Sequence, residues 1–404
     1  MIPFSPPRID QKVIDEVVDT LKSGWITTGP KTKEFERRLT AYCGNKATLA
    51  VNSNTVGLEV VLRWFGVQEG DEVIVPAYTY CATANVIVHC GAKPVMVDVN
   101  AEDFDVCLEN VRKAITDKTK VIMPVDLGGM PCAYDELFEL VKSGAVNSLF
   151  RAGTEEQEKL GRILILSDSA HSVGAEYKGR KAGCLADVSV FSFHAVKNLT
   201  TAEGGAIMLN LPEPFDNEEV YRYLCTYTLH GQNKDALAKT KKGAWRYDVL
   251  VSGFKGNMTD IMASIGLVEL SRYEDDTLHY RKCIYDQYTE AFSKHEWAQL
   301  PVYETADRKR SYHVYCLRIK GITEQQRDEI IQKIFDRDVS VNVHFQPLPL
   351  LSAFKNKGYR IEDYPVAYDN YSREISLPVW YGLNEEMVKA VIDAVVCSVE
   401  EVLA

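Results

Sequence analysis

Asp168 and Lys197 are the residues whose types and placement point most directly to chemistry. Asp168 follows the apolar run Ile163-Leu164-Ile165-Leu166 and Ser167, so it falls at the C-terminal end of a buried strand, where open α/β sheets bind ligands. Lys197 comes in the next strand unit, after Val188-Ser-Val-Phe-Ser-Phe193 and before Gly204, Gly205 and a second apolar strand from Ala206 to Leu209. That order puts the lysine in a turn between two strands. Taken singly, each has an ordinary reading, because a carboxylate after a strand caps a turn and a turn lysine is a solvated charge. Together they supply the two groups that pyridoxal phosphate (PLP) chemistry requires. The lysine must lose its proton to condense with the cofactor aldehyde, which a desolvated site beside a cationic ring favours. The carboxylate must pair with the pyridinium nitrogen, so that the protonated ring draws electrons from the reacting carbon.

Neighbouring stretches could complete such a site. Leu49-Ala-Val51 is a short strand that leads into Asn52-Ser-Asn-Thr55 and an apolar helix, so hydroxyls and free backbone amides converge at a helix N-terminus. Ser53, Asn54 and Thr55, with Ser192 from the Val188–Phe193 strand, are therefore the candidates to hold a phosphate. Pro76-Ala-Tyr-Thr-Tyr80 follows another strand, and Tyr80 offers a face to stack on a ring, although an aromatic here could equally be ordinary core.

The elements that must position these residues alternate between short β-rich runs and helical ones, the pattern of an α/β protein. Strands are expected over 72–75, 94–97, 121–125, 163–166 and 188–193. Helices are expected over 55–65, 134–142, 260–273 and 281–295. A second unit follows, with strand-like 312–319 and helical 323–335 and 385–403. The change near residue 260 divides the chain into a large PLP-binding domain, 1–259, and a smaller C-terminal domain, 260–404. A chain of 404 residues with 46% hydrophobic side chains can bury cores for both.

Composition excludes several function classes. A formal net charge of -11 argues against broad binding to nucleic acid. No apolar run of membrane-spanning length and no signal-peptide pattern is present, so a cytoplasmic protein that neither enters the membrane nor is secreted is expected. The ten cysteines include no Cys-x-x-Cys pair, which speaks against a zinc ribbon or a disulfide framework and fits a reducing compartment. No Gly-x-Gly-x-x-Gly follows the early strands, which sets aside a nicotinamide oxidoreductase.

Seven stretches in order resemble the DegT/StrS family of sugar aminotransferases, PLP enzymes of fold type I. They are 23–30 with Phe35-Glu36, 76–83, 168–174, 192–205, 253–260, 311–315 and 376–378. The similarity spans nearly the whole chain. It implies the aspartate aminotransferase-like fold, with a large mixed-sheet domain and a smaller α/β one. It further implies that Lys197 binds the cofactor covalently, Asp168 meets the ring nitrogen and Tyr80 stacks on the ring. Ser53, Asn54, Thr55 and Ser192 would hold the phosphate, where the family more often has Gly at position 54. His171 would lie near the ring hydroxyl, and Thr28 and His344 would face substrate. Asn257 would reach the phosphate of a neighbouring subunit, making the active unit a homodimer with shared sites.

The implied reaction moves an amino group from glutamate or a similar donor to a keto-sugar, nucleotide-linked, in the making of amino sugars for polysaccharides, glycans or antibiotics. Two alternatives share the resemblance. A PLP-dependent sugar dehydratase on the same fold would carry His at position 197, and a catalytically idle PLP-binding regulator would not need both Lys197 and Asp168. Two positions depart from the family pattern: Asp126 stands where His is frequent, and Pro349 where a second His follows the one matching His344. Both lie in stretches that the resemblance ties to substrate.

Overall fold

The computed structural model describes residues 1–233 and 246–404. Among these, seven strands make one mixed sheet: β1 (Ala47–Val51), β2 (Glu72–Pro76), β3 (Lys93–Val97), β4 (Thr119–Ile122), β5 (Leu164–Asp168), β6 (Val188–Ser192) and β7 (Gly205–Leu209). Their order is β1-β7-β6-β5-β4-β2-β3. The pairs β2–β3, β2–β4, β4–β5 and β5–β6 are parallel, whereas β7 runs antiparallel to both β6 and β1.

Successive residues of a strand point to opposite faces, and here the two faces feed two separate cores. Ile74, Ile122, Ile165, Phe191 and Met208 enter one apolar cluster. Their neighbours Val73, Val75, Val121, Leu164, Leu166, Val190 and Ile207 enter the other. A sheet buried on both sides needs apolar residues at every position, which is why these strands read as unbroken apolar runs. The β4 strand stops at Ile122, short of the expected 125, because Pro124 has no N–H to continue the ladder.

Helix α1 (Gln11–Ser23) precedes α2 (Pro30–Cys43), α3 (Asn54–Trp64), α4 (Cys81–His89) and α5 (Tyr134–Lys142), and the last four cover the sheet. Leu58, Val60 and Val61 of α3 and Ala84, Val86 and Ile87 of α4 pack into the same cluster as Val190 and Leu166, so both helices lie on one face. A Cβ on Gly57 would come 2.6 Å from Val190 Cγ1, so the glycine lets α3 approach the sheet closely.

Helix α6 (Asp260–Ser271) opens the C-terminal segment and packs on α1 and α2. A π-helical turn, Tyr273–Leu278, separates it from α7 (His279–Phe292), and the two fill the expected helical stretches with a break between them. A second sheet follows, with β9 (Tyr315–Ile319) between β8 (Ala298–Gln299) and β10 (Glu374–Leu377), all antiparallel. Helices α8 (Glu324–Asp336) and α9 (Glu385–Leu403) pack against each other beside it. Among the described residues, no helix is long and apolar enough to cross a membrane.

Candidate active site

Asp168 is the last residue of β5, and its place in the alternation turns it toward the face covered by α3 and α4. Both helices start there. Asn54, the first residue of α3, donates from Nδ2 to Asp168 Oδ1 at 3.1 Å and to Val190 O at 2.8 Å. Thr83, in the first turn of α4, donates its hydroxyl to Asp168 Oδ2 at 2.8 Å, and the Ala170 N–H reaches Oδ1 at 3.3 Å. Oδ1 of this buried carboxylate therefore takes two donors and Oδ2 one, so Oδ2 keeps lone-pair capacity for a further donor. Burial pushes the carboxyl above its ordinary value, while the hydrogen bonds from Thr83 and Asn54 and the charge of Lys197 favour ionisation.

Lys197 lies in the turn between β6 and β7, closed by its N–H donating to His194 O at 2.9 Å. Its side chain lines the same cleft as Asp168. Loss of water around the amine pushes it down to about 8, against the opposing pull of Asp168. A lysine so placed is about one-tenth neutral at pH 7, some hundreds of times more than a solvated lysine, which favours a nucleophilic or proton-transferring amine.

The cleft has a volume of about 490 Å³, and Ser53, Asn54, Thr55, Tyr80, His171, Ser192 and His344 line it together with Asp168 and Lys197. Ser53 caps α3 by accepting from Val56 N at 3.2 Å, which leaves the N–H groups of Asn54 and Thr55 without partners inside the helix. Gly205 makes this end a cradle, since a Cβ there would lie 2.6 Å from the Asn54 nitrogen. Free amides, the hydroxyls of Ser53, Thr55 and Ser192, and the positive end of the helix suit an anion such as a phosphate. The donor set thus fits a phosphorylated pyridine aldehyde: an anion seat at one end, an amine within the cleft and a buried carboxylate at its floor.

Tyr80 is exposed at the rim, with its ring 5.5 Å from that of Phe345. His171 is buried, and its Nδ1 accepts from the Gly128 N–H at 3.1 Å, so the neutral ring carries its hydrogen on Nε2. Burial first, then the charges of Lys197, His344 and Arg310, hold its pKa well below the ordinary histidine value.

Several expectations change. The Asn54 side chain does not reach toward an anion: its amide is committed to Asp168 and Val190, and only its backbone N–H serves the anion seat. Thr28, expected to face substrate, does not line the cleft of its own chain, and neither does Asn257, whose expected role lies at a neighbouring subunit; Asn257 Nδ2 donates to Thr28 Oγ1 at 2.5 Å, and the Thr28 hydroxyl donates to Met258 O at 2.5 Å. Asn257 also bridges Val51 at the end of β1. Asp126, expected near substrate, is buried away from the cleft and accepts from Tyr134 Oη at 2.7 Å, Ser172 Oγ at 2.7 Å, Cys132 N at 3.0 Å and Ser169 Oγ at 3.2 Å. It holds β5 and the following turn in place. Pro349 is likewise buried in a 3-10 turn off the cleft. Thr83 and Phe345 escaped the sequence reading, although Thr83 closes the 76–83 stretch and Phe345 follows His344.

The two-faced sheet with a lysine and a buried aspartate at its rim defines the fold type I class of α/β enzymes. Residues 7–150 and 154–396 match the profile of the DegT/DnrJ/EryC1/StrS aminotransferase family, and the chain belongs to that family. It superposes on the PMP-form of the putative sugar aminotransferase Spr1654 from Streptococcus pneumoniae with a TM-score of 0.96, at 47% identity and with 100% of each chain covered. The PLP-form of the same protein gives 0.95 at 46% identity, again over 100% of both chains. The spore coat polysaccharide biosynthesis protein SpsC of Bacillus subtilis (strain 168) is 34% identical over 401 residues, 98% of this chain and 96% of the relative.

Proposed function

We propose that this aminotransferase uses PLP to carry an amino group from glutamate or a similar donor to a nucleotide-linked keto-sugar, in amino-sugar and polysaccharide biosynthesis. The observation that carries the reading is the pairing, across one cleft, of a lysine amine pushed down to about 8 with a buried, doubly hydrogen-bonded aspartate. The sugar assignment draws support from Spr1654, a putative sugar aminotransferase, and from SpsC, a polysaccharide biosynthesis protein.

When bound, the cofactor supplies an aldehyde carbon to carry the amino group and a ring to withdraw electrons from the reacting carbon. Lys197 would hold it covalently and, as a free amine, would move the proton at the substrate carbon. Asp168 would keep the ring nitrogen protonated, with Asn54 and Thr83 orienting Asp168 and favouring its ionised form. Ser53, Thr55, Ser192 and the start of α3 would hold the phosphate, Tyr80 would cover the ring, and His171 would offer its Nε2–H to the ring oxygen. Lysine at position 197, rather than histidine, favours amino transfer over dehydration.

The active unit in this reading is a homodimer with shared sites. Ile14, Val18 and Leu21 form an exposed apolar stripe along α1, and Ile9 and Ile26, before and after that helix, are exposed as well. Such a surface is better explained by a covering subunit than by solvent. Assay of purified protein with glutamate and a panel of keto-sugar nucleotides tests the reading: amine formation on at least one sugar is expected, and none on any of them overturns it.

A further inference from the structure

His344 faces the cleft, yet its ring is held from behind by two fully buried residues of β10. His344 Nδ1 lies 2.9 Å from Ser376 Oγ. Ser376 Oγ donates to Glu374 Oε1 at 2.5 Å, and Glu374 Oε2 accepts from the His344 backbone N–H at 3.1 Å. A hydroxyl has a single hydrogen, and that of Ser376 is spent on Glu374. While the Glu374 carboxyl is ionised, the serine offers His344 only a lone pair, so Nδ1 carries the imidazole hydrogen; a protonated Glu374 would instead donate to Ser376 and free the serine hydrogen for Nδ1. Nε2 is left as an acceptor, and among the described residues no hydrogen bond is made to it. Tyr78 Oη fixes the backbone by donating to His344 O at 2.8 Å, and Phe4 stacks on the ring at 5.6 Å.

Burial, with the charge of Lys197 adding to it, pushes the His344 imidazole down to about 3, so the ring is neutral at working pH. A neutral acceptor nitrogen discriminates between the two partners of an amino transfer. Glutamate offers that nitrogen carboxylates, which are themselves acceptors and cannot pair with it; a sugar offers hydroxyls, which can donate. We propose that His344 is a specificity-determining residue that accepts a hydrogen bond from a hydroxyl of the sugar at Nε2, and that Ser376 and Glu374 are positioning residues that set its tautomer. The proposal rests on the sugar reading above and assigns to it the element that separates sugar from amino donor.

Two measurements test it independently. The first uses the cofactor-free protein, labelled with ¹⁵N-histidine. Burial pushes the Glu374 carboxyl up to about 8, against the Ser376 hydroxyl, the His344 amide and the Arg327 guanidinium. Spectra are therefore recorded at about pH 9, where the carboxylate dominates. Wild-type His344 should show the Nδ1–H tautomer, and Ser376→Ala should move it toward Nε2–H; an Nε2–H tautomer in the wild type overturns the relay.

The second compares half-reactions of the holoenzyme, also at about pH 9, with glutamate on one side and uridine- or deoxythymidine-diphosphate 4-keto-6-deoxyhexoses on the other. Loss of one hydrogen bond predicts that Ser376→Ala raises KM for the keto-sugar about tenfold while the glutamate half-reaction stays within about twofold. His344→Phe should do the same, and His344→Gln, which restores an acceptor, should recover part of the loss. Equal losses in both half-reactions, or no loss in either, overturn the proposal even where the wild type aminates a sugar. A wild type that reacts with glutamate but with no sugar removes the sugar reading, whatever tautomer His344 adopts.

Discussion

The side-chain amide of Asn54 donates to Oδ1 of Asp168 at 3.1 Å, across a separation of more than a hundred residues in the chain. The first residue of α3 therefore belongs to the floor of the cleft as well as to the anion seat. A hydrogen bond to a buried charge contributes about 1.5–3 kcal/mol, so Asn54→Ala should weaken PLP binding by roughly ten- to a hundredfold while leaving the fold intact. Titration of cofactor-free protein followed by absorbance gives the affinity, and an unchanged value would detach Asn54 from the carboxylate's function.

Asp168→Asn keeps the shape of the side chain and removes its charge. The variant should retain cofactor but lose turnover by about a hundredfold or more, the scale seen when one electrostatic contact to a reacting centre is removed. Single-turnover kinetics separate the two quantities. Near-normal turnover in a folded, cofactor-loaded variant would remove Asp168 from the mechanism.

The depressed basicity of Lys197 gives a pH dependence with a definite sign. Only the neutral amine attacks an aldehyde, and the neutral fraction grows as pH rises through the pKa. With Lys197 pushed down to about 8, the rate at which cofactor-free protein captures PLP covalently should rise up to that pH and level off above it. Stopped-flow absorbance measures the rate. A midpoint near 10, the value of a solvated lysine, would mean that the site does not desolvate the amine.

Asn257 lies on Thr28, outside the cleft of its own chain, which makes the shared-site model directly testable. If Asn257 serves the partner's phosphate, a mixed dimer of one Lys197→Ala chain and one Asn257→Asp chain has one site with both defects and one with neither. Activity should then return to about half the wild-type value per dimer. If Asn257 acts within its own chain, or only holds Thr28, each site of the mixed dimer carries one defect and the assay stays silent. Differently tagged chains, co-expressed and purified as the heterodimer, give the answer.

Much of this site is legible in the sequence because buried parallel strands must be apolar at every position, so Asp168 interrupts an unmistakable run. Lys197 and the glycines after it stand out for the same reason, as polar punctuation between Val188–Ser192 and Gly205–Leu209. Sequence places Asn54 at a helix start, among the residues that can hold an anion, but says nothing about which way its side chain turns. That direction is set by α3 packing against β5 and β6, with Gly57 against Val190. Thr83 has no local signature at all: its partner is Asp168, and only the packing of α4 beside α3 brings them together. Glu374 and Ser376 interrupt the apolar residues of β10, so no unbroken run announces that strand, yet both are buried behind His344. Asp126 failed in the opposite sense, a polar residue in a substrate-linked stretch whose carboxylate is consumed by four internal donors.

The central claim is that Lys197, among all the lysines of the chain, is the residue that bonds to the cofactor. Reduction of PLP-loaded protein with borohydride, digestion and mass spectrometry tests it in one experiment. The account predicts loss of the yellow absorption band and a single peptide, the one containing Lys197, heavier by the mass of the reduced cofactor. A cofactor mass on any other lysine, with the Lys197 peptide unmodified, would contradict it.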